Sequence, residues 1–266
     1  MPSWDPTLYE KFASERARPF ADLTARVGAH EPRLVADLGC GNGIATLTFA
    51  QRWPQARVVG VDSSASMLES AREKDPDGRV EWVEGDLATW TLESLGQAPD
   101  VVVSNATLQW VPGHLRVVER WADALAPDGW LALQVPGNFA SPTHAIMREM
   151  AVAHPRAAEL EAATKRFGAG EPSTYLQILA GRGLEVDAWE TTYTHVLDPA
   201  GEQDNPVLDW VSGTGLRPIL DVLTDDEERA AFLAEYGERV AQAYPRTPAG
   251  VLLPFRRVFA VGHKIA

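Results

Sequence analysis

Between Asp37 and Gly43 the chain reads D-L-G-C-G-N-G, an acid followed by a glycine at every second position. Glycine permits a tight bend and leaves no Cβ between the backbone and a ligand. The run R-L-V-A-D-L-G that leads into it reads as a buried strand. G-I-A-T-L-T-F-A-Q-R-W reads as a helix with Ile44, Leu47 and Ala50 on its apolar face. A helix starting at such a bend aims unpaired N–H groups at whatever the bend holds. Phosphate chemistry fits poorly. A nucleoside triphosphate needs G-x-x-x-x-G-K-[ST], and no Lys-Ser or Lys-Thr follows. A dinucleotide needs a small residue where this chain has Ile44, which would hold the helix away from a pyrophosphate.

Acids and an amide recur at the ends of the following strand-like runs. A-R-V-V-G-V-D-S-S carries Asp62, 19 residues past Gly43, where a carboxylate can accept both hydroxyls of a ribose; Ser63 is next to it. The helix S-A-S-M-L-E-S-A-R-E-K-D, capped by Ser63 or Ser64, brings Met67 where it can pack on an adenine. R-V-E-W-V-E-G-D leads to Gly85-Asp86-Leu87, where Asp86 can accept from an adenine amine and the Leu87 N–H can donate to the ring. P-D-V-V-V-S-N-A-T-L-Q-W presents Asn105 to an amino-acid moiety. Taken singly, Asp62 and Asp86 also read as helix caps, Asn105 as a turn former and Asp37 as a cap of the glycine turn. Together with the bend they point to S-adenosylmethionine. Its D-x-G-x-G-x-G pattern is met by Asp37, Gly39, Gly41 and Gly43, and the motif resembles the signature of the class I methyltransferases.

The elements that position these residues alternate. Strand-like and helix-like segments succeed one another from residue 33 through H-L-R-V-V-E-R-W-A-D-A-L and, after an Asp128-Gly129 turn, G-W-L-A-L-Q-V-P-G. This rhythm predicts an α/β fold with a parallel sheet and right-handed crossovers. Valine runs such as Val101–Val103 suit strands covered by helices on both faces. Residues about 139–180 and 205–250 read as helical insertions forming a cap within one domain spanning 1–266. Between and after them, G-L-E-V-D-A-W-E-T-T-Y-T-H-V-L and R-R-V-F-A-V-G-H-K-I read as the sixth and seventh strands. At the front, about 5–18 reads as a helix with Asp5 as cap, Pro6 in its first turn and Pro19 as its limit. Tyr9, Phe12, Ala13 and Arg16 share one face of it, as a lid that excludes water from the cofactor would require.

Bulk properties narrow the partners. The 266 residues include 24 basic and 37 acidic ones, a formal net charge of -13, which disfavours nucleic acid and anionic membranes. The single cysteine, Cys40, permits no internal disulfide and no paired-cysteine metal motif, and reads as packing beneath the bend. The histidines show no ligand spacing, so no metal is expected. With neither an apolar signal core nor a spanning apolar stretch, a cytoplasmic protein is expected, and a monomer is the simpler expectation.

W-D-P-T-L-Y-E-K-F-A-S-E-R-A-R-P, V-A-D-L-G-C-G-N-G, V-V-G-V-D-S-S-A-S-M-L, S-N-A-T-L-Q-W-V-P-G-H, P-T-H-A-I-M-R-E and L-D-W-V-S-G-T-G-L-R-P together resemble the trans-aconitate 2-methyltransferases over most of the chain. The resemblance implies a Rossmann-like sheet of seven strands, six parallel and an antiparallel one at the C-terminus, with helices on both faces. It also implies monomethyl esterification of trans-aconitate or a close polycarboxylate. An ionised carboxylate is already a nucleophile, so no catalytic base is expected; alignment does the work. Arginines should hold the non-reacting carboxylates. Arg217 and Arg148 are the candidates. Arg16 or Arg18 could also reach the substrate, although Arg16 could instead serve the cofactor's carboxylate. Gln109, Trp110 and His114 follow the fourth strand, where substrate is met in many enzymes of this class. Trp110 could wall the pocket. His144 could donate to a carboxylate. Tyr193 and His195 lie on the sixth strand. Composition and spacing leave open a methyltransferase acting on an amine or phenol, a non-catalytic S-adenosylmethionine-binding module, and a nicotinamide oxidoreductase, against which Ile44 argues.

Overall fold

Short valine- and leucine-rich runs form the centre of the sheet because every residue in them can be buried from both sides. The computed structural model describes residues 13–164 and 169–265, with side chains from residue 17 onward. Strands β1 (Leu34–Leu38), β2 (Arg57–Asp62), β3 (Val80–Glu84), β4 (Val101–Asn105) and β5 (Trp130–Pro136) alternate with helices α2 (Ile44–Arg52), α3 (Ala65–Glu73) and α4 (His114–Ala124). All five residues of β1 are buried. It pairs in parallel with β2 and β4, placing Asp37 beside Gly60 and Val103. β5 is parallel to β4, and β8 (Gly250–Lys264) runs antiparallel to β5 from Trp130↔His263 to Pro136↔Arg257. With β6 (Leu184–Leu197) at the edge, the order is β3-β2-β1-β4-β5-β8-β6, and a two-residue β7 (Arg246–Thr247) pairs with β8 to make an eighth strand. The β7–β8 hairpin was not legible as a strand because two residues carry no periodicity.

The chain divides into two compact units. One, the sheet unit, includes Ala17–Gly137, Phe167–Thr191 and Arg257–Ala266; the other, the helical unit, includes Asn138–Arg166 and Thr192–Arg256. The sheet unit's core joins strand residues such as Leu34, Val59, Val102 and Leu131 to Val118 and Trp121 of α4 and to Tyr175 and Leu179 of α7 (Pro172–Ala180). Helix α1 (Ala13–Thr24) continues through Pro19, where the sequence suggested a stop. A proline inside a helix costs about 3 kcal/mol. Beyond it Phe20 and Leu23 of α1, and then Val27, are buried, and each such side chain contributes roughly 1.5–3 kcal/mol. Packing therefore outweighs the local penalty.

The helical unit contains α5 (Pro142–Ala153), α6 (Ala157–Thr164), α8 (Pro206–Ser212), α9 (Arg217–Val222) and α10 (Asp226–Ala243). Prolines occupy the first turns of α5, α8 and α9, where a missing N–H costs nothing. Asn205 caps α8 and Asp225 caps α10, whose first turn carries Asp226, Glu227 and Glu228 against the dipole. P-V-L-D-W-V-S-G-T-G-L-R-P-I-L-D-V-L divides into α8 and α9 because Gly213 and Gly215 weaken the turn that Pro218 then breaks. Ile146, Met150, Trp210, Ile219, Phe232 and Tyr236 lie in a separate core. Among the described residues no helix is long and apolar enough to cross a membrane.

Candidate functional site

At the carboxyl end of β1 the backbone turns through left-handed conformations at Gly39 (φ 88°), Gly41 (φ 55°) and Gly43 (φ 77°). The glycines do different things. A Cβ on Gly39 would lie 2.1 Å from Thr107 Oγ1, so the bend is packed against the loop after β4. A Cβ on Gly43 would lie 2.5 Å from the Trp82 ring and 2.8 Å from Ala71, so this glycine seats α2 rather than a ligand. A Cβ on Gly41 would meet nothing within 4 Å. Bare backbone facing open space is what a closely held ligand needs, and only Gly41 provides it among these glycines.

The acids behind the bend are held in place. Asp37 is 2% exposed and accepts a hydrogen bond from Thr46 Oγ1 at 2.6 Å. Burial pushes its carboxyl up to about 7; the Thr46 hydroxyl opposes the rise and the nearby Asp62 charge adds to it. Asp62 accepts from the Gly41 N–H on Oδ2 and from the Ser64 N–H on Oδ1, both at 2.9 Å. Each carboxylate oxygen accepts two hydrogen bonds, so one place remains on each. That capacity fits the two hydroxyls of a ribose. Ser64, not Ser63, caps α3, accepting from the Met67 N–H at 3.4 Å, and Met67 is buried. Asp86 is exposed and accepts from the Ala88 N–H at 2.9 Å, an Asx turn that leaves Oδ2 available. Leu87 follows, its side chain buried. Asn105 Oδ1 is buried without a hydrogen-bond partner. Spare acceptors and an open glycine thus line the strand ends of one unit, as an adenosyl cofactor would need. Burial also pushes the Cys40 thiol well up, so it is inert packing.

The other candidates separate into groups. Gln109 and Trp110 lie in the short turn Leu108–Trp110 after β4; Gln109 Nε2 donates to the Ala106 carbonyl at 2.6 Å, and its Oε1 is buried without a partner. His114 is instead a core residue of α4, 3.0 Å from the Tyr175 hydroxyl, and burial lowers its pKa. In the helical unit, His144 on the first turn of α5 lies near Gly215 of the loop that leads to Arg217, where a Cβ on Gly215 would be 3.5 Å from His144 Nε2. Its Nδ1 faces Thr143 Oγ1 at 3.3 Å and Ser141 Oγ at 3.4 Å. Arg217 pairs with Asp221 at 3.2 Å. Arg148 is exposed and donates to the Phe139 carbonyl at 2.8 Å. Tyr193 and His195 are buried on β6, with His195 stacked on Trp210 at 4.8 Å between ring centres. Tyr9 and Phe12 lie outside the described residues, as does the side chain of Arg16. Sequence reading missed Thr46 and Thr107, the partners of Asp37 and Gly39, and two buried polar residues of the sheet unit, Gln134 and Arg257. Gln134 had a signal: it is an amide inside the apolar run W-L-A-L-Q-V-P.

The strand order and the open glycine bend define a methyltransferase domain, and the family model described as a methyltransferase domain matches residues 35–129. A trans-aconitate 2-methyltransferase from Streptomyces avermitilis is 49% identical over 274 aligned residues, covering 100% of this chain and 98% of the relative. One from Methylobacterium radiotolerans is 46% identical, covering 99% of each. This chain belongs to the trans-aconitate 2-methyltransferase family. Among solved structures, a phosphoethanolamine N-methyltransferase of Haemonchus contortus in complex with S-adenosyl-L-methionine shares the fold, with a TM-score of 0.54 and 16% identity, covering 94% of this chain and 53% of that one.

Proposed function

We propose that this chain methylates one carboxylate of trans-aconitate with S-adenosyl-L-methionine as donor, giving a monomethyl ester. The observation that carries this reading is the 49% identity to a trans-aconitate 2-methyltransferase along the whole chain. The open face of Gly41 and the spare acceptors of Asp62 fit the cofactor. When bound, the cofactor supplies a methyl group on a sulfonium.

Asp62, beside Ser63, would hold the ribose hydroxyls. Asp86 and the Leu87 N–H would read the adenine, with Met67 packed against it. Asn105 would face the amino-acid end, and Asp37, held by the Thr46 hydroxyl, would brace the bend from beneath. Tyr9 and Phe12 are assigned to excluding water from the cofactor, and Arg16 to its carboxylate. No residue need take a proton from the acid, because carboxylates are ionised well below pH 7. The chain's task is to align the acid and strip water from its reacting oxygen. Cations belong on the other carboxylates, since one on the reacting oxygen would blunt its attack. Arg217, Arg148 and His144 are assigned to that role, with Gln109, Trp110 and Tyr193 shaping the acid's surroundings. The net charge of -13 agrees with a free small acid as partner rather than nucleic acid, and we assign the chain to the cytoplasm as a monomer.

The test is transfer of labelled methyl from the cofactor to a panel of trans-aconitate, cis-aconitate, citrate and isopropylmalate, alongside amine and phenol controls. Alkali-labile label on trans-aconitate is expected. Label on an amine or phenol, or none on any acid while S-adenosylhomocysteine binds, would overturn the reading.

A further inference from the structure

The carboxyl ends of β4 and β5 carry more hydrogen-bonding capacity than the fold uses. Gln134 on β5 is 1% exposed, and neither its Nε2 nor its Oε1 has a partner. Because both ends are idle, the orientation of the amide does not alter the point. Asn105 Oδ1 and Gln109 Oε1 are idle as well. Register brings these groups together. Gln134 is paired with Asn105 on β4 and with Phe259 on β8, so the three side chains leave the same face of the sheet. Arg257 lies two residues from Phe259, on the same face, opposite Pro136 where β5 ends. It is the one arginine classed as buried among the described residues, at 7% exposure.

A leucine at position 134 would fill the space without leaving polar atoms idle, so the amide has a use only if something polar meets it. Charge along the sheet says what that is. The strand ends of β1, β2 and the turn after β3 carry Asp37, Asp62 and Asp86, acceptors that suit the hydroxyls and amine of an adenosyl group. The β5–β8 end, three strands from β1 in the case of β8, carries a buried guanidinium instead. Adjacent strands are about 4.8 Å apart, so Arg257 is roughly 14 Å across the sheet from the bend, beyond the span that Asp62 and Asn105 mark for the cofactor. A guanidinium beside an amide donor matches a carboxylate.

We infer that Gln134 and Arg257 hold a non-reacting carboxylate of the acid substrate. This rests on the methyltransferase reading above and adds a pair of specificity residues on the sheet itself. A carboxylate could also come from the methionine end of the cofactor, and the test separates the two.

Binding of trans-aconitate to the protein saturated with S-adenosylhomocysteine is measured by calorimetry for the wild type, Gln134→Leu, Arg257→Met and Arg257→Lys; no turnover occurs in this complex. Loss of a charge-assisted hydrogen bond should weaken acid binding roughly 10- to 100-fold in Arg257→Met, with partial recovery in Arg257→Lys. Gln134→Leu should weaken it about 10-fold while melting at or above the wild-type temperature, since it breaks no existing hydrogen bond. Affinity for S-adenosylhomocysteine alone should stay within about twofold in every variant. Unchanged acid binding in Gln134→Leu and Arg257→Lys would overturn the pair. A loss confined to S-adenosylhomocysteine would overturn it too, by giving the carboxylate to the cofactor. A wild type that binds neither ligand would overturn the methyltransferase reading beneath it.

Discussion

Replacing Asp37 by asparagine should make the ligand-free protein relatively more stable as the pH rises. Asp37 is 2% exposed, and burial carries its pKa from 3.8 to about 7. The native state therefore binds more protons than the unfolded chain between about pH 4 and pH 7, and stability falls as the pH climbs through that window. At pH 8 the group is ionised in both states, and a shift of about three units costs about 4 kcal/mol. At pH 4.5 the same linkage leaves about 1 kcal/mol. Asparagine can still accept from Thr46 but buries an N–H that needs a partner, a constant penalty of about 1–3 kcal/mol. That offset does not depend on pH, whereas the difference of about 3 kcal/mol between the two conditions belongs to ionisation alone. With an unfolding entropy of roughly 2.1 cal/mol/K per residue, it corresponds to about 5 °C for this chain. The assay is thermal unfolding of wild type and Asp37→Asn from pH 4.5 to 8.5, without ligand. The melting temperature of the variant minus that of the wild type should rise by about 5 °C across the range. Other carboxylates titrate in both proteins and cancel in the difference. A gap that stays flat with pH would refute the argument that Asp37 is held against its charge.

The glycines of the bend should separate by assay. Gly43→Ala places a Cβ 2.5 Å from Trp82 at φ 77° and should lose about 3–5 kcal/mol of stability, read by denaturant unfolding. Gly41→Ala meets open space and should lose only about 1–2 kcal/mol, while weakening S-adenosylhomocysteine by 10-fold or more in calorimetry, on the order of one blocked contact. Tyr175→Phe removes the hydroxyl that meets His114 and the Gly170 N–H, and should cost about 1–3 kcal/mol in denaturant midpoint with cofactor affinity unchanged.

The sheet unit was legible in the sequence because its strands are short apolar runs separated by helix patterns, and because acids and amides end those runs at Asp37, Asp62 and Asn105. What was not legible is tertiary. The D-x-G-x-G-x-G spacing treats its glycines alike, yet Gly43 is set by Trp82 and Ala71, and Gly39 by Thr107, contacts that only the fold creates. Pro19 reads as a helix stop until the burial of Phe20 and Leu23 is counted. His114 reads as a site histidine by its place after β4, but the turn of α4 carries it to Tyr175, 61 residues away. Arg257 gives no sign of which face of its strand it occupies until β8 is paired with β5, where it stands opposite Pro136.

The most direct test of the central claim is calorimetric titration of S-adenosylhomocysteine and, separately, NADH into wild type and Asp62→Ala. The alanine removes the carboxylate that braces the Gly41 and Ser64 N–H groups and that would receive the ribose. The account predicts one site for S-adenosylhomocysteine and none for NADH in the wild type, with affinity falling by about 100-fold in the variant, the loss of two hydrogen bonds to a charged acceptor. Binding of NADH in place of S-adenosylhomocysteine, or undiminished S-adenosylhomocysteine affinity in Asp62→Ala, would contradict it.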